Sequence, residues 1–264
     1  MSREKRIFDL VVMLATVPLW LPVLLLTMGL ILLFEGRPVF YVSNRRFHRA
    51  SIMPIVKFRT MKKNAAVIAN RETIPVSSQR FLNIPYESPL YTRVGRSIER
   101  FCITELPQLL HVFRGDMSIV GNRPLPENVV AALAEAFPNA EARFDVPCGL
   151  TGPTQLIGRD DLTDDERLHI EALYCRICQL HYSPRIDFML LRYTVLICLH
   201  LRPKMTLAQV EDKLILWAGL AAPAFLPLPE PMVAGAAMLD TPRQHALLID
   251  RAASFAPGAK ALSA

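Results

Sequence analysis

Residues 7–34, IFDLVVMLATVPLWLPVLLLTMGLILLF, constrain this chain more than any other stretch, because they form an apolar run with Asp9 as the only charge. A membrane helix needs about 20 such residues, so the run is long enough to enter a bilayer. A cleaved signal peptide fits less well: its apolar core spans only roughly 7–15 residues and ends at a small-residue cleavage site, and neither holds here. The segment is therefore expected in the mature protein. Its flanks are basic on both sides, with Arg3, Lys5 and Arg6 before it and Arg37, Arg45, Arg46 and Arg49 after it. Cytoplasmic segments carry the excess of Lys and Arg, so both ends are expected on the cytoplasmic side. Pro18 and Pro22 fall mid-run, where each removes a helix hydrogen bond and favours a kink. A helix that enters, breaks and returns satisfies both observations; a kinked spanning helix is the alternative.

Composition agrees with partial burial in lipid: 52% of the 264 residues are hydrophobic and the mean hydropathy is +0.26. The net charge of +6 suits an anionic partner, whether membrane surface, nucleotide or nucleic acid. The basic residues lack interleaved aromatics beyond Phe47 and Phe58, which argues against stacking on nucleic acid. The five cysteines make no disulfide framework. Cys175 and Cys178 form a lone C-x-x-C without a second pair or histidines at ligand spacing, and are read as core thiols rather than a zinc site.

Residues 91–124, YTRVGRSIERFCITELPQLLHVFRGDMSIVGNRP, concentrate carboxylates, arginines and turn residues around one short helix. Ile103, Leu106, Leu109, Leu110 and Phe113 recur at helical spacing and predict one apolar face, leaving Glu105 and Gln108 on another. Thr104 is placed to cap the N-terminus, Pro107 is tolerated in a first turn, and Arg114 with Gly115 supplies a cation and a positive-φ residue at the C-terminus. A capped surface helix followed by a turn would read the same way.

The run ITELPQL followed by FRGDMSIVGNRP resembles the signature of bacterial sugar transferases, the monotopic phosphoglycosyl transferases that act on polyprenyl phosphate. In that family the helix opens with an Asp-Glu dyad whose aspartate takes up the sugar phosphate; here the dyad is Thr104 and Glu105. A carboxylate suits that role as an ionised oxygen needing no base, whereas a threonine hydroxyl needs one. The family's preceding arginine falls on Glu99, with Arg100 adjacent. Three further stretches extend the resemblance. Lys5, Arg6 and Asp9 match its Lys-Arg-x-x-Asp motif, and its membrane break falls at Leu21-Pro22. KFRT (57–60) matches a family strand, with Arg45 at a family arginine and Phe47 at a family glycine. CGLTGPTQLIGRDDL (148–162) matches a glycine-rich loop through Gly149, Thr151, Gly152, Gln155, Gly158 and Arg159. Glycines at such spacing let backbone N–H groups approach phosphates, although tight turns alone would also require them.

Between these motifs, residues 38–42 predict a strand, 62–90 a loop over the site, and 127–137 a helix ending before Pro138. A second helix is expected over about 163–180, capped by Thr163. SPRIDFMLLRYTVLICLHL (183–201) resembles a family helix through Ser183 and Asp187, and suits an interfacial helix or a packed one equally.

The resemblance implies an α/β fold, a mostly helical compact domain with a re-entrant N-terminal membrane helix and interfacial amphipathic helices. Residues 1–36 would form the membrane element, 37–202 the catalytic-type domain, and 203–264 an Ala/Pro-rich tail without assigned role. It also implies transfer of a sugar 1-phosphate from a UDP-sugar to polyprenyl (undecaprenyl) phosphate, initiating exopolysaccharide or other glycan assembly at the cytoplasmic face of the bacterial inner membrane. The implied catalytic residues are Thr104 and Glu105, and the phosphate-binding residues Arg45, Lys57, Arg59, Arg100, Arg123, Gln155 and Arg159. Glu105 is the expected Mg²⁺ ligand, since that ion prefers carboxylate and phosphate oxygens. Asn122, where the family has proline, is expected to loosen the backbone of Arg123. A membrane-bound, non-catalytic relative that binds polyprenyl phosphate or a polysaccharide-assembly partner is the competing expectation.

Overall fold

The structure, a computed structural model, describes residues 1–49, 51–63, 65, 88–101, 103–158 and 161–220. Most of the loop expected over 62–90, and everything beyond 220, lies outside those residues. The described chain is mostly helical, with two small two-stranded sheets.

The apolar run forms α1 (Arg3–Ala15) and α2 (Val17–Phe34). The break expected at Leu21-Pro22 falls instead at Thr16. There the Thr16 hydroxyl donates to the Val12 carbonyl at 2.7 Å, and Pro18 lies in the first turn of α2, where a helix has no use for the missing N–H. Pro22 is carried inside α2. This helix turns Leu19, Leu26, Leu33 and Phe34 outward, each between 64% and 76% exposed. Among the described residues it is the one helix long and apolar enough to cross a membrane.

Both ends of this pair are held by the same body. On α1, Lys5, Asp9 and Met13 recur every four residues and face inward. Lys5 Nζ donates to Asp187 Oδ2 at 2.5 Å, the Val120 carbonyl at 2.7 Å and Tyr174 Oη at 3.1 Å. Asp9 Oδ1 accepts from Ser118 Oγ and Ile119 N, both at 2.9 Å. Arg6 donates to the carbonyls of Val112 and Phe113, near the C-terminus of α4 (Leu109–Arg114), where a cation complements the helix dipole. At the far end, Ile31 of α2 packs, fully buried, against Phe58 and Ile98. The Arg59 guanidinium donates to the Glu35 and Gly36 carbonyls at 3.0 and 2.9 Å, just past the end of α2.

The basic stretch after the membrane segment is an antiparallel hairpin, β1 (Phe40–His48) with β2 (Ser51–Phe58), so the first strand runs well beyond the expected 38–42. Phe47 and Phe58 are buried in the interior. A second, parallel pair joins β3 (Ser118–Val120) to β4 (Gly149–Thr151). This pairing accounts for part of the glycine-rich loop: a Cβ at Gly149 would stand 2.1 Å from Gly121 N, and one at Gly152 2.4 Å from Gly121 O. Backbone contact therefore requires those two glycines, without any phosphate.

The helix after Pro126 is α5 (Glu127–Ala136), and the short α6 (Pro153–Ile157) follows β4. Next come α7 (Asp164–Leu180), opened by a capping box between Thr163 and Glu166, and α8 (Pro184–Cys198), capped by Ser183. Beyond residue 202 the chain goes on packing against the same core. Met205 N donates to the Leu156 carbonyl at 2.9 Å, and α9 (Leu207–Trp217) buries Val210, Leu214 and Trp217 in the main core beside Ile170, Tyr174, Ile177, Ile186 and Leu190. A capping box at Thr206 and apolar positions at helical spacing mark that helix, which the alanine and proline content further on obscures.

Removing one member of a buried ion pair strands the other, at a cost of about 3–5 kcal/mol. Lys5→Met should therefore lower the unfolding temperature of the purified protein sharply. Adding Asp187→Asn should recover part of the loss, because no unpaired charge then remains.

Candidate active site

The site is assembled by two close approaches. In α3 (Arg93–Arg100), the capping Thr92 side chain accepts from Gly95 N at 3.0 Å. A Cβ on Gly95 would lie 1.9 Å from the Thr60 carbonyl oxygen, so only glycine lets α3 rest on the chain leaving β2. That contact brings Glu99, near the end of α3, toward Lys57, near the end of β2. The second approach is a 3-10 helix, Ile103–Gln108, running into α4. Pro107, inside the 3-10 helix, has no N–H to donate to either kind of helical ladder.

The 3-10 helix corrects two expectations. Thr104 does not cap the helix: it is buried and donates its hydroxyl hydrogen to Glu99 Oε2 at 2.8 Å. The apolar face also breaks where the pitch changes from 3.0 to 3.6 residues per turn. Leu110 and Phe113 end up 60% and 58% exposed, while His111 and Val112 are buried. The expected C-terminus is found, with Gly115 at φ 90°.

Lys57 is the centre of a cluster of opposed charges. Burial lowers its ammonium pKa most, the cations Arg45 and Arg123 lower it further, and the carboxylates Glu99 and Glu105 act against them; the outcome is about 8. Its Nζ also stands 5.3 Å from the centre of the Tyr41 ring. Glu105 forms an ion pair with Arg123. The structure thus gathers five of the residues picked out in the sequence, Arg45, Lys57, Thr104, Glu105 and Arg123. It adds Glu99, noted in the sequence only as the position of a missing arginine.

Arg123 is held firmly, contrary to the expected loosening. Asn122 is buried, and its Nδ2 donates to the Arg143 carbonyl at 2.9 Å and the Glu171 carbonyl at 3.1 Å. Arg143 in turn donates to the Arg123 carbonyl at 3.0 Å while pairing with Glu171 at 2.6 Å, both side chains 1% exposed. Asn122 thus replaces a stiff ring by a side chain that knits two helical segments together. Cys148 and Cys175 line the same network; burial pushes both thiols up, Cys148 to about 12, so they stay protonated.

The remaining sequence candidates have other surroundings. Arg59 directs its guanidinium at the carbonyls of Glu35, Gly36, Pro38 and Met61, which makes it the clamp on the end of α2. Arg100 is exposed, and Arg159 lies outside the described residues. Gln155 sits on α6, its Oε1 accepting from Thr154 Oγ1 at 3.2 Å, beside the Gly152–Gly121 contact that backs Arg123. Glu105 is a single carboxylate, and among the described residues there is no group of three or more acidic, histidine or cysteine side chains fit to cage a metal. One carboxylate suits Mg²⁺ when substrate phosphates supply further oxygens.

The family model for bacterial sugar transferases matches residues 1–200. The chain belongs to that family. This sugar transferase is 31% identical over 175 residues to the exopolysaccharide production protein ExoY of Sinorhizobium fredii, covering 65% of this chain and 76% of the relative. It is 32% identical over 200 residues to an undecaprenyl-phosphate glucose phosphotransferase of Komagataeibacter xylinus, covering 72% of this chain and 35% of the relative. It is 29% identical over 147 residues to an undecaprenyl-phosphate galactose phosphotransferase of Salmonella typhimurium, covering 54% of this chain and 30% of the relative. The class of enzyme is phosphoglycosyl transferase.

Because Lys57 has a folded-state pKa of about 8 against about 10.4 when unfolded, it weakens folding below that value, and this penalty fades as pH rises between the two. Its charge is lost over the same lower limit. Raising the pH from about 8 toward about 10.4 should therefore stabilise the wild type relative to Lys57→Met, which carries no such charge, as denaturant unfolding across this range would reveal.

Proposed function

We propose that this sugar transferase moves a sugar 1-phosphate from a UDP-sugar to a polyprenyl phosphate, releasing UMP and starting exopolysaccharide or other glycan assembly. One observation carries this reading: the charged cluster shares its backbone with the anchorage of the lipid-facing helix. Lys57 precedes Phe58, Glu99 follows Ile98, Thr104 follows Ile103 and Glu105 precedes Leu106, and these four apolar neighbours gather around Ile31 of α2. Adjacent residues in a strand or tight helix face different ways, so one side of each element meets the membrane anchor and the other bears charge. A water-soluble donor and a lipid-linked acceptor can meet at such a place.

In this reading Arg45, Lys57 and Arg123 bind the donor diphosphate, and the planar fork of Arg123 takes two oxygens at once. Magnesium, when bound, shields the phosphates so that an anionic nucleophile can approach, and Glu105 would hold it. Gln155, on α6, and Arg159, outside the described residues, add further contacts to the phosphates in this reading. The pair α1 and α2 dips into the membrane and returns, with the domain on the cytoplasmic face of the bacterial inner membrane. On α8, Phe188 and Val195 are exposed, as is Leu199 just after it, and they meet the headgroup region. The threonine at position 104 favours one rival, a non-catalytic relative that only binds polyprenyl phosphate.

Purified protein with undecaprenyl phosphate and a panel of UDP-sugars should release UMP from at least one donor. Retained binding of undecaprenyl phosphate without UMP from any donor would leave the non-catalytic relative standing. For the topology, single cysteines introduced as Arg3→Cys and Arg37→Cys should both react with an impermeant reagent from the same face of sealed vesicles, and labelling from opposite faces would replace the re-entrant pair by a spanning one.

A further inference from the structure

Two carboxylates border Lys57, and they are held differently. Glu105 is paired with Arg123, as expected of a group that balances charge or holds a cation. Glu99 is oriented by a neutral donor, the buried Thr104 hydroxyl at 2.8 Å, so one of its oxygens lies within hydrogen-bond distance of the oxygen of residue 104. The glycine contact at Thr60 fixes the helix that carries it. An oriented carboxylate that, among the described residues, has no guanidinium across it and borders the Lys57 ammonium is equipped to attack a phosphorus atom.

We propose that Glu99, not Thr104, is the nucleophile, and that Thr104 is a positioning residue that aims it. This rests on the transferase reading given above. In the first step a Glu99 carboxylate oxygen attacks the phosphorus that bears the sugar. The bond from that phosphorus to the bridging oxygen breaks, UMP leaves with the electron pair, and Glu99 carries a sugar phosphate as a mixed anhydride. In the second step an oxygen of polyprenyl phosphate attacks the same phosphorus, and the Glu99 carboxylate leaves. No proton moves in either step. The reverse assignment, Thr104 attacking with Glu99 as base, needs a proton removed and then demands an alkoxide as leaving group. An alkoxide is a far poorer leaving group than a carboxylate, so a threonine adduct would stall.

The test is rapid quenching of the full-length protein with UDP-sugar and no lipid acceptor, followed by intact-mass and peptide analysis. The wild type should gain the mass of one sugar phosphate on Glu99, and hydroxylamine should remove it. Glu99→Gln should still bind UDP yet lose both the adduct and UMP release, the latter by about three orders of magnitude or more. Thr104→Val should slow UMP release roughly ten- to a hundredfold with the adduct still on Glu99, and Thr104→Ser should restore it, as loss of one hydrogen bond to a charged group predicts. A hydroxylamine-resistant adduct on Thr104, or UMP release undiminished in Glu99→Gln, would overturn the assignment and leave the transferase reading intact. A wild type that releases no UMP from any donor would overturn both.

Discussion

The buried contact between Lys5 and Asp187 is the constraint on which the rest of the structure depends. Two charges taken out of water cost several kcal/mol each, and mutual attraction offsets this only when the leftover donors and acceptors are also satisfied. Here they are: Lys5 also reaches the Val120 carbonyl and Tyr174 Oη, and Asp187 accepts from Tyr174 at 2.9 Å and Tyr182 at 3.0 Å. One cation from the membrane element thereby meets β3, α7 and α8 at one point. Val120 stands three residues before Arg123, so the contact that seats the membrane helix also fixes the strand leading into the site. Burial and the neighbouring Asp187 carboxylate push the Tyr182 phenol above its usual range, so it remains a donor.

The chemistry of the site was partly legible in the sequence, because motif spacing survives folding. Arg45, Lys57, Glu105 and Arg123 lie on four separate stretches, and only their shared family pattern suggested that they meet. What spacing could not convey was which side chains serve the backbone. Arg59 is two residues from Lys57 and equally basic, yet it binds carbonyls at the end of α2. Asn122 looked like a loss of stiffness because a proline's effect is local, whereas its replacement works through Arg143 and Glu171, both remote in sequence. The membrane break was misjudged for a simpler reason. Either proline could end a helix, and the deciding group was Thr16, whose hydroxyl satisfies a carbonyl of α1. The capped helix over 163–180 was readable because both its boundary signals are local.

Positions 99 and 104 are best understood together. Where the sugar-transferase signature that this sequence resembles has an arginine and an aspartate, this chain has a carboxylate and a hydroxyl, and the two touch. Read one at a time, each change looks like damage: a phosphate-binding cation lost, a nucleophile lost. Read as a pair, they exchange the positions of acid and donor across a single hydrogen bond while the carboxylate stays beside Lys57. That distinction is invisible to residue-by-residue comparison, because it depends on α3 lying against Thr60 closely enough to bring residue 99 to residue 104.

The charge balance of the cluster fits a carboxylate nucleophile. Arg45, Lys57 and Arg123 against Glu99 and Glu105 leave one net positive charge around Lys57 when it is protonated. Attack by Glu99 turns its carboxylate into the neutral acyl half of a mixed anhydride and places one negative charge on the attached phosphate, while UMP departs with about two, its second pKa being about 6. The field met by polyprenyl phosphate in the second step is then the same as that met by the donor in the first. With Thr104 as nucleophile, Glu99 would hold the released proton instead, and the cluster would retain it until an alkoxide could be expelled. A site that must treat two phosphate-bearing substrates alike is better served by a group whose charge moves to the phosphate and returns unchanged.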